Sequence, residues 1–221
     1  RSTSSAASDV YKRQILLVLG GEPPGEDLLH WRFDDCDLTV AVDSGWLAYR
    51  KAGLLPDILI GDMDSCGETD LQDGIPSSVR VIVDSDQNNT DFQKALNLIN
   101  SDYSPQEIVI LGGFGKRTDH LLNNFSIISG IQNEIIVVMD SDDEWIRRVT
   151  PSASAEVRGM DGATISLIPQ RINTVVCSSG LKWELDNEVL SWSTQFSQSN
   201  ELVSDFSKIS VLSGALLILL Q

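Results

Sequence analysis

The chain is poor in cysteine, histidine and positive charge, and each shortage removes a class of function. Its three cysteines, Cys36, Cys66 and Cys177, are odd in number and far apart. With no C-x-x-C pair they form neither a disulfide framework nor a zinc site, and free thiols in a reducing cytoplasmic setting are expected. Sixteen Lys and Arg stand against 32 Asp and Glu, a formal net charge of −16. Such a surface cannot neutralise a run of phosphates, which argues against a general nucleic-acid binder. It suits a protein that takes up a metal ion before it holds an anionic ligand. Long hydrophobic runs are missing too: Ile15 to Leu19 and Ala215 to Leu220 are far too short to span a bilayer. Internal repeats and low-complexity linkers are also absent.

What remains is an ordinary globular composition over 221 residues, enough for one large domain or two modest ones. Residues 1–14 are polar and patternless before an abrupt switch to I-L-L-V-L-G-G. They lack the order of a signal peptide, and D-V-Y-K-R-Q resembles the translation of a sequencing adapter. A non-native or disordered leader is expected there.

The organising stretch is I-L-I-G-D-M-D-S, Ile58 to Ser65. Three apolar residues predict a buried strand, Gly61 allows a tight turn, and Asp62 and Asp64 follow. In an open α/β sheet, ligands bind beyond the carboxyl ends of strands. Two carboxylates at such an edge suit Mg²⁺, which completes its shell with water and substrate phosphate. An acidic loop with a helix cap at Asp64 or Ser65 explains the same letters.

The rest of the chain extends this pattern. Strands are predicted at Ile15 to Leu19, Leu38 to Val42, Val79 to Val83, Ile108 to Leu111 and Ile135 to Met139. Helical segments are predicted at Asp27 to Trp31, Trp46 to Ala52, Phe92 to Ile99 and His120 to Ile128, with Thr90 or Asp91 starting the third. This alternation predicts a mostly parallel, Rossmann-like sheet flanked by helices over 15–143. From about 150 to 221 the pattern becomes short runs without helices, at Ala163 to Ile168, Asn173 to Cys177, Leu181 to Leu185, Val189 to Trp192, Lys208 to Leu212 and Ala215 to Leu220. An all-β sandwich domain is predicted, abutting the first near residues 143–155.

Polar groups recur where the predicted strands end. They are Asp43; Asp62 and Asp64; Asp86, Gln87, Thr90 and Asp91; and Arg117, Asp119 and His120. A parallel sheet gathers these ends at one edge. Lys94, three residues after Asp91, shares its helix face. Lys94 and Arg117 could hold phosphate oxygens while carboxylates hold metal, the parts phosphoryl transfer requires; a solvated helix lysine is the alternative for Lys94. G-G-F-G-K-R-T-D-H fails the Walker A spacing, having Ile110 and Arg117 where Gly and Ser or Thr belong. It remains a glycine-rich turn able to offer N–H groups to phosphate, or a plain turn. His120 is assigned a supporting role, and His30 a structural one. In the β part, Trp183 either packs in a core or interface or forms a flat wall for an aromatic or cationic ring. S-Q-S-N at 197–200 either reads such a ring or makes a turn.

Four stretches together resemble one family. G-D-M-D-S at 61–65, D-Q-N-N-T-D-F-Q-K-A-L at 86–96, G-K-R-T-D-H-L-L-N-N at 115–124 and S-S-G-L-K-W at 178–183 are similar, in that order, to the motifs of thiamine pyrophosphokinases. The resemblance covers nearly everything from Ile15 to Leu220. It implies an α/β nucleotide-binding domain followed by a β-sandwich. It implies transfer of the pyrophosphoryl group of ATP to the hydroxyl of thiamine, with Mg²⁺. It also implies a homodimer holding thiamine between one subunit's α/β domain and the other's sandwich. By matching position, Asp62, Asp64 and Asp91 are the metal and catalytic carboxylates, supported by Asp43 and Asp119. Gln87, Thr90, Lys94, Arg117 and Asn124 position nucleotide or phosphate, with His120 beside them. Trp183, Ser199 and Asn200 lie near thiamine. Three positions depart from the family pattern: Met63 for Phe, Lys116 for a second Gly, and a C-terminus without the usual L-L-W.

Rival readings are a haloacid-dehalogenase-like phosphatase, whose D-x-D also ends a strand and whose later acidic pair Asp142-Asp143 would mimic, and a nucleotide- or thiamine-binding sensor without turnover. A third is a pyrophosphokinase for another alcohol, such as a pterin. The phosphatase motif usually carries Thr or Val where this chain has Cys66, and it leaves the Asp91 helix unexplained.

Overall fold

The computed structural model describes residues 14–63, 74–115, 117–193, 195 and 197–221. Six parallel strands form its first half: β1 (Gln14–Val18), β2 (Leu38–Val42), β3 (Ile58–Gly61), β4 (Arg80–Val83), β5 (Glu107–Leu111) and β6 (Ile136–Asp140). Between them run α1 (Glu26–Asp35), α2 (Trp46–Lys51), α3 (Asp91–Asp102) and α4 (Thr118–Gly130). The order across this half is β4-β3-β2-β1-β5-β6. Gln14 belongs to β1, and the rest of the expected leader lies outside the described residues.

Why the sheet is two-sided follows from β1. Ile15 and Leu17 pack with Phe92, Ala95 and Ile99 of α3 and with Ile128 of α4. Leu16 and Val18 point the other way, onto Leu29 of α1 and onto Trp46 and Tyr49 of α2. A strand buried on both faces reads as an unbroken apolar run, which is what I-L-L-V is. Helix α3 begins with a capping box. Thr90 Oγ1 accepts from Gln93 N–H at 3.3 Å, and Gln93 Oε1 accepts from Thr90 N–H at 3.0 Å.

The second half contains β7 (Trp145–Val149), β8 (Ala155–Arg158), β9 (Thr164–Pro169), β10 (Thr174–Ser179), β11 (Glu188–Leu190), β12 (Ser197–Glu201), β13 (Phe206–Ser213) and β14 (Leu216–Leu220). Strands β7, β14, β9 and β12 add antiparallel to β6, so one ten-stranded sheet runs through both halves. A four-stranded sheet, β11-β10-β13-β8, forms the second layer. Val149, Leu167, Val176, Leu190, Ile209 and Ile218 fill the space between. The chain is thus a mixed α/β fold with an antiparallel β part, as expected. Leu181 to Leu185 is not a strand: Leu181 makes only an isolated bridge to Leu202, and the rest of the segment is an irregular loop. The altered C-terminal sequence still forms a buried strand, with Leu216 and Ile218 fully enclosed.

Candidate active site at the sheet edge

The strand order reverses between β1 and β5, each continuing to different neighbours. A crevice opens outside the carboxyl ends at such a switch point. A cavity of about 300 Å³ lies there. Its floor is the turn after β1, Gly20-Gly21, and the turn after β5, Gly112 to Gly115. The two turns are zipped by main-chain bonds from Gly21 N–H to Gly112 O (2.9 Å) and from Glu22 N–H to Phe114 O (2.7 Å). A side chain at Gly21 would strike Gly112 O, so the glycine is required by close approach.

Six of the sequence-predicted residues line this cavity: Asp43, Thr90, Asp91, Arg117, His120 and Asn124. Asp43 follows β2 with φ +49, an αL backbone uncommon outside glycine, and one of its carboxylate oxygens is buried with no hydrogen-bond partner. A buried, unpartnered carboxylate oxygen calls for a donor or a cation. Asn124 reaches back from α4 to donate to Gly113 O at 2.9 Å, bracing the glycine turn. Ser44 and Asn123 also line the cavity and were not singled out from sequence; each sits beside a residue that was.

Lys94 is buried rather than offered to solvent. Its ammonium donates to Asp91 Oδ1 at 3.0 Å and to Asp84 O at 2.9 Å. Burial pulls its pKa down, but the Asp91 hydrogen bond and the negative charges of Asp91, Asp62 and Asp84 outweigh it and leave the pKa raised. Lys94 therefore joins the main chain just after β4 to the start of α3. Gln87 is exposed and does not line the cavity. Asp86 folds its own loop: it accepts from Asn88 N–H (2.9 Å) and from the Asn88 and Asn89 side chains (2.7 and 2.8 Å). These bonds, the Asn88 N–H first, hold its pKa below the ordinary value. Asp119 lies on the exposed start of α4, paired with Arg117 at 2.5 Å; the pairing lowers the Asp119 pKa and raises that of Arg117. Asp64 and Lys116 lie outside the described residues.

Among the described residues no three carboxylates, imidazoles or thiols cluster as a metal cage. The carboxylates that line the cavity, Asp91 and Asp43 with its orphaned oxygen, are hard oxygens, while Asp62 lies outside the lining. They fit an ion such as Mg²⁺, which takes one or two carboxylates and fills its shell with water and phosphate.

Trp183, Ser199 and Asn200 sit together in the β part, away from this lining. Trp183 is 58% exposed. Asn200 is buried, and its amide is fully used. Oδ1 accepts from Trp183 N–H (3.1 Å) and Glu201 N–H (2.9 Å), and Nδ2 donates to Trp183 O (2.8 Å) and Ser197 Oγ (3.1 Å). Ser199 is exposed with φ +55, where the β12–β9 register shifts.

A cavity at the switch point of a largely parallel sheet, lined by acidic groups and glycine turns and followed by a two-layered antiparallel β part, defines a doubly wound α/β protein. The model of the thiamin pyrophosphokinase catalytic domain matches residues 29–139, and that of the thiamin pyrophosphokinase vitamin B1 binding domain matches residues 153–216. The chain belongs to the thiamin pyrophosphokinase family. It is 32% identical to thiamine pyrophosphokinase 1 of Oryza sativa over 156 residues, which is 66% of this chain and 58% of the rice protein. It is 26% identical to thiamine pyrophosphokinase of Bacillus subtilis over 213 residues, covering 94% of this chain and 98% of that one. The solved Bacillus subtilis structure superposes with a TM-score of 0.82 at 24% identity, over 95% of this chain and 99% of the other. The phosphatase and sensor readings gain no support. Asp142 accepts from Gly25 N–H at 2.7 Å, at the start of α1, and does not line the cavity.

Proposed function

We propose that the protein is a thiamine pyrophosphokinase. The thiamine hydroxyl oxygen attacks the β-phosphorus of ATP, the bond from that phosphorus to the bridging α–β oxygen breaks, AMP leaves, and the hydroxyl proton passes to solvent or a nearby base. The observation that carries this reading is the switch-point cavity, in which Asp43, Asp91, Arg117 and His120 converge between two glycine turns. Turn N–H groups and Arg117 hold phosphate oxygens, since transfer of this kind depends on alignment and charge neutralisation. Asp62, Asp64 and Asp91 would hold Mg²⁺, with Asp43 beside them and Asp119 acting through its pairing with Arg117; bound there, the ion would supply neutralisation of phosphate charge. Thr90 and Asn124 shape the nucleotide side, Gln87 lying outside the lining, while Lys94 holds Asp91 in place. Trp183 supplies a flat wall for the thiamine ring, with Ser199 and Asn200 behind it.

Trp183 and the cavity belong to different halves of the chain, which supports a homodimer in which the wall of one subunit serves the cavity of the other. The free thiols of Cys36 and Cys177 support a cytoplasmic setting. No described helix is long and apolar enough to cross a membrane.

The test is an assay of purified protein with ATP, Mg²⁺ and thiamine, following AMP and thiamine diphosphate together. Equal, thiamine-dependent formation of both is expected, with loss on chelation and recovery on adding Mg²⁺. AMP formed only with another alcohol, or phosphate released from monoesters without ATP, would overturn it.

A further inference from the structure

We infer that Glu184 is a positioning residue, whose carboxylate fixes the 178–185 loop so that Trp183 stands as a preformed wall for the substrate ring; this rests on the reading of Trp183 above. Glu184 Oε1 accepts from Gly180 N–H at 2.6 Å and Leu181 N–H at 3.1 Å. Its Oε2 accepts from Ser178 Oγ–H at 2.5 Å. That same Ser178 hydroxyl oxygen accepts from Leu185 N–H at 2.8 Å, so the residues on both sides of Trp183 are tied to one carboxylate. Asn200 grips the main chain of Trp183 itself from β12.

Leu181 is buried and Leu185 packs partly against the core, so the two ends of the loop tip are anchored. Between them Lys182, Trp183 and Glu184 are exposed. Lys182 is tied to Glu201, its N–H donating to Glu201 O at 2.9 Å and its ammonium to the Glu201 carboxylate at 2.7 Å. An exposed loop tip of this kind is mobile unless polar bonds fix it, and three of those bonds converge on Glu184. Gly180 makes the turn at φ +86, where a side chain would strike Ser207 Oγ and Phe206 O. Gly180 O in turn accepts from Val203 N–H and Ser207 Oγ–H. A wall fixed before binding spares the substrate the entropy of ordering it, so the arrangement acts on affinity. Glu184 accepts three bonds within its own loop and does so without touching the ring, which separates it from a binding contact.

The test uses steady-state kinetics of the full chain. Glu184→Ala is expected to raise the KM for thiamine by about tenfold, while kcat and the KM for ATP stay within about twofold. Glu184→Gln, which keeps an acceptor for the two N–H groups, is expected to restore most of the loss. In a Trp183→Ala background the Glu184→Ala change is expected to add less than about twofold, because it acts through Trp183. An unchanged thiamine KM in Glu184→Ala, or an equal loss in both backgrounds, would overturn the positioning role and leave Trp183 in place. An unchanged thiamine KM in Trp183→Ala would overturn the wall itself and the inference with it. Should Glu184→Ala fail to fold by circular dichroism, Ser178→Ala tests the same tether: a raised thiamine KM supports it, and a wild-type value overturns it.

Discussion

Lys94 Nζ lies 3.0 Å from Asp91 Oδ1, and the lysine side chain is only 3% exposed. A buried ammonium on a carboxylate stays charged when the pair is well made. Its folded pKa is raised, so its contribution to stability is present below the unfolded lysine value of about 10.4 and is lost only as pH rises through the still higher folded value. Across neutral pH the contribution is constant. Lys94→Met leaves the Asp91 carboxylate without its cation and the charges of Asp62 and Asp84 without their compensating ammonium. Destabilisation of about 3 kcal/mol is expected, with turnover reduced by at least about 100-fold. Urea denaturation and the coupled assay check both; wild-type stability would show that the pair contributes nothing.

Asp62→Asn separates charge from shape. The amide fills the same volume, and the apolar packing of β3 does not involve the carboxylate. Turnover is expected to fall by at least about 100-fold, with the melting temperature within about 3 °C of wild type. Near-normal activity would refute a metal role for Asp62.

Gly53 and Gly112 share a left-handed backbone, φ +70 and +65, but differ in space. A Cβ at Gly53 meets nothing within 4 Å, whereas at Gly112 it lies 2.3 Å from Leu19 O. Gly53→Ala therefore carries only backbone strain, about 1 kcal/mol. Gly112→Ala must also push apart the two turns that floor the cavity, and a loss of at least about 3 kcal/mol is expected. Equal losses in the two variants would mean that the turns separate freely.

How legible this was depended on where polar residues do structural work. The strands of the first half were readable because they are buried on both faces and leave an apolar run. Strand β7, W-I-R-R-V, escaped because Arg148 breaks the pattern, yet its side chain is among the most buried in the molecule. Strand β12, S-Q-S-N-E, carries no apolar residue; its inward position is Asn200, made tolerable by four hydrogen bonds. The cavity residues were visible as polar groups at strand ends. What no spacing revealed was the division of labour: Lys94 inside holding Asp91, Asp86 folding its own loop, and Glu184 tying down the segment around Trp183.

Asp86 gives a pH dependence with a definite sign. Its folded pKa is held below 3.8 by hydrogen bonds from Asn88 and Asn89. Its contribution is thus present above the unfolded value and is lost as pH falls through the folded one. The difference in melting temperature between wild type and Asp86→Ala is expected to be constant from pH 8 to about 5 and to shrink below about 4. A difference that grows on acidification would contradict the assignment.

Arg148 ties the β part to the helix that carries Arg117, His120 and Asn124. It projects from β7 and donates to Ile128 O (2.8 Å) and Ile131 O (2.6 Å), and also to the carbonyls of Gln132 and Ile135. These carbonyls lie at and just past the end of α4, where a cation meets the negative end of the helix dipole; those of Ile128 and Gln132 also accept main-chain N–H groups, at 3.3 and 3.2 Å. Burial, with repulsion from Arg171 behind it, pulls its pKa down to about 10, which leaves the guanidinium charged at neutral pH. Arg148→Met keeps the apolar stem but strands several buried carbonyls, and a loss of about 3 kcal/mol is expected. Arg148→Lys recovers only part, because one ammonium cannot span carbonyls that a planar fork reaches together. Hydrogen exchange should locate the damage: the last turn of α4 is expected to lose protection in Arg148→Met while α3 keeps it. Uniform loss over both helices would place Arg148 in the general core rather than at the end of α4.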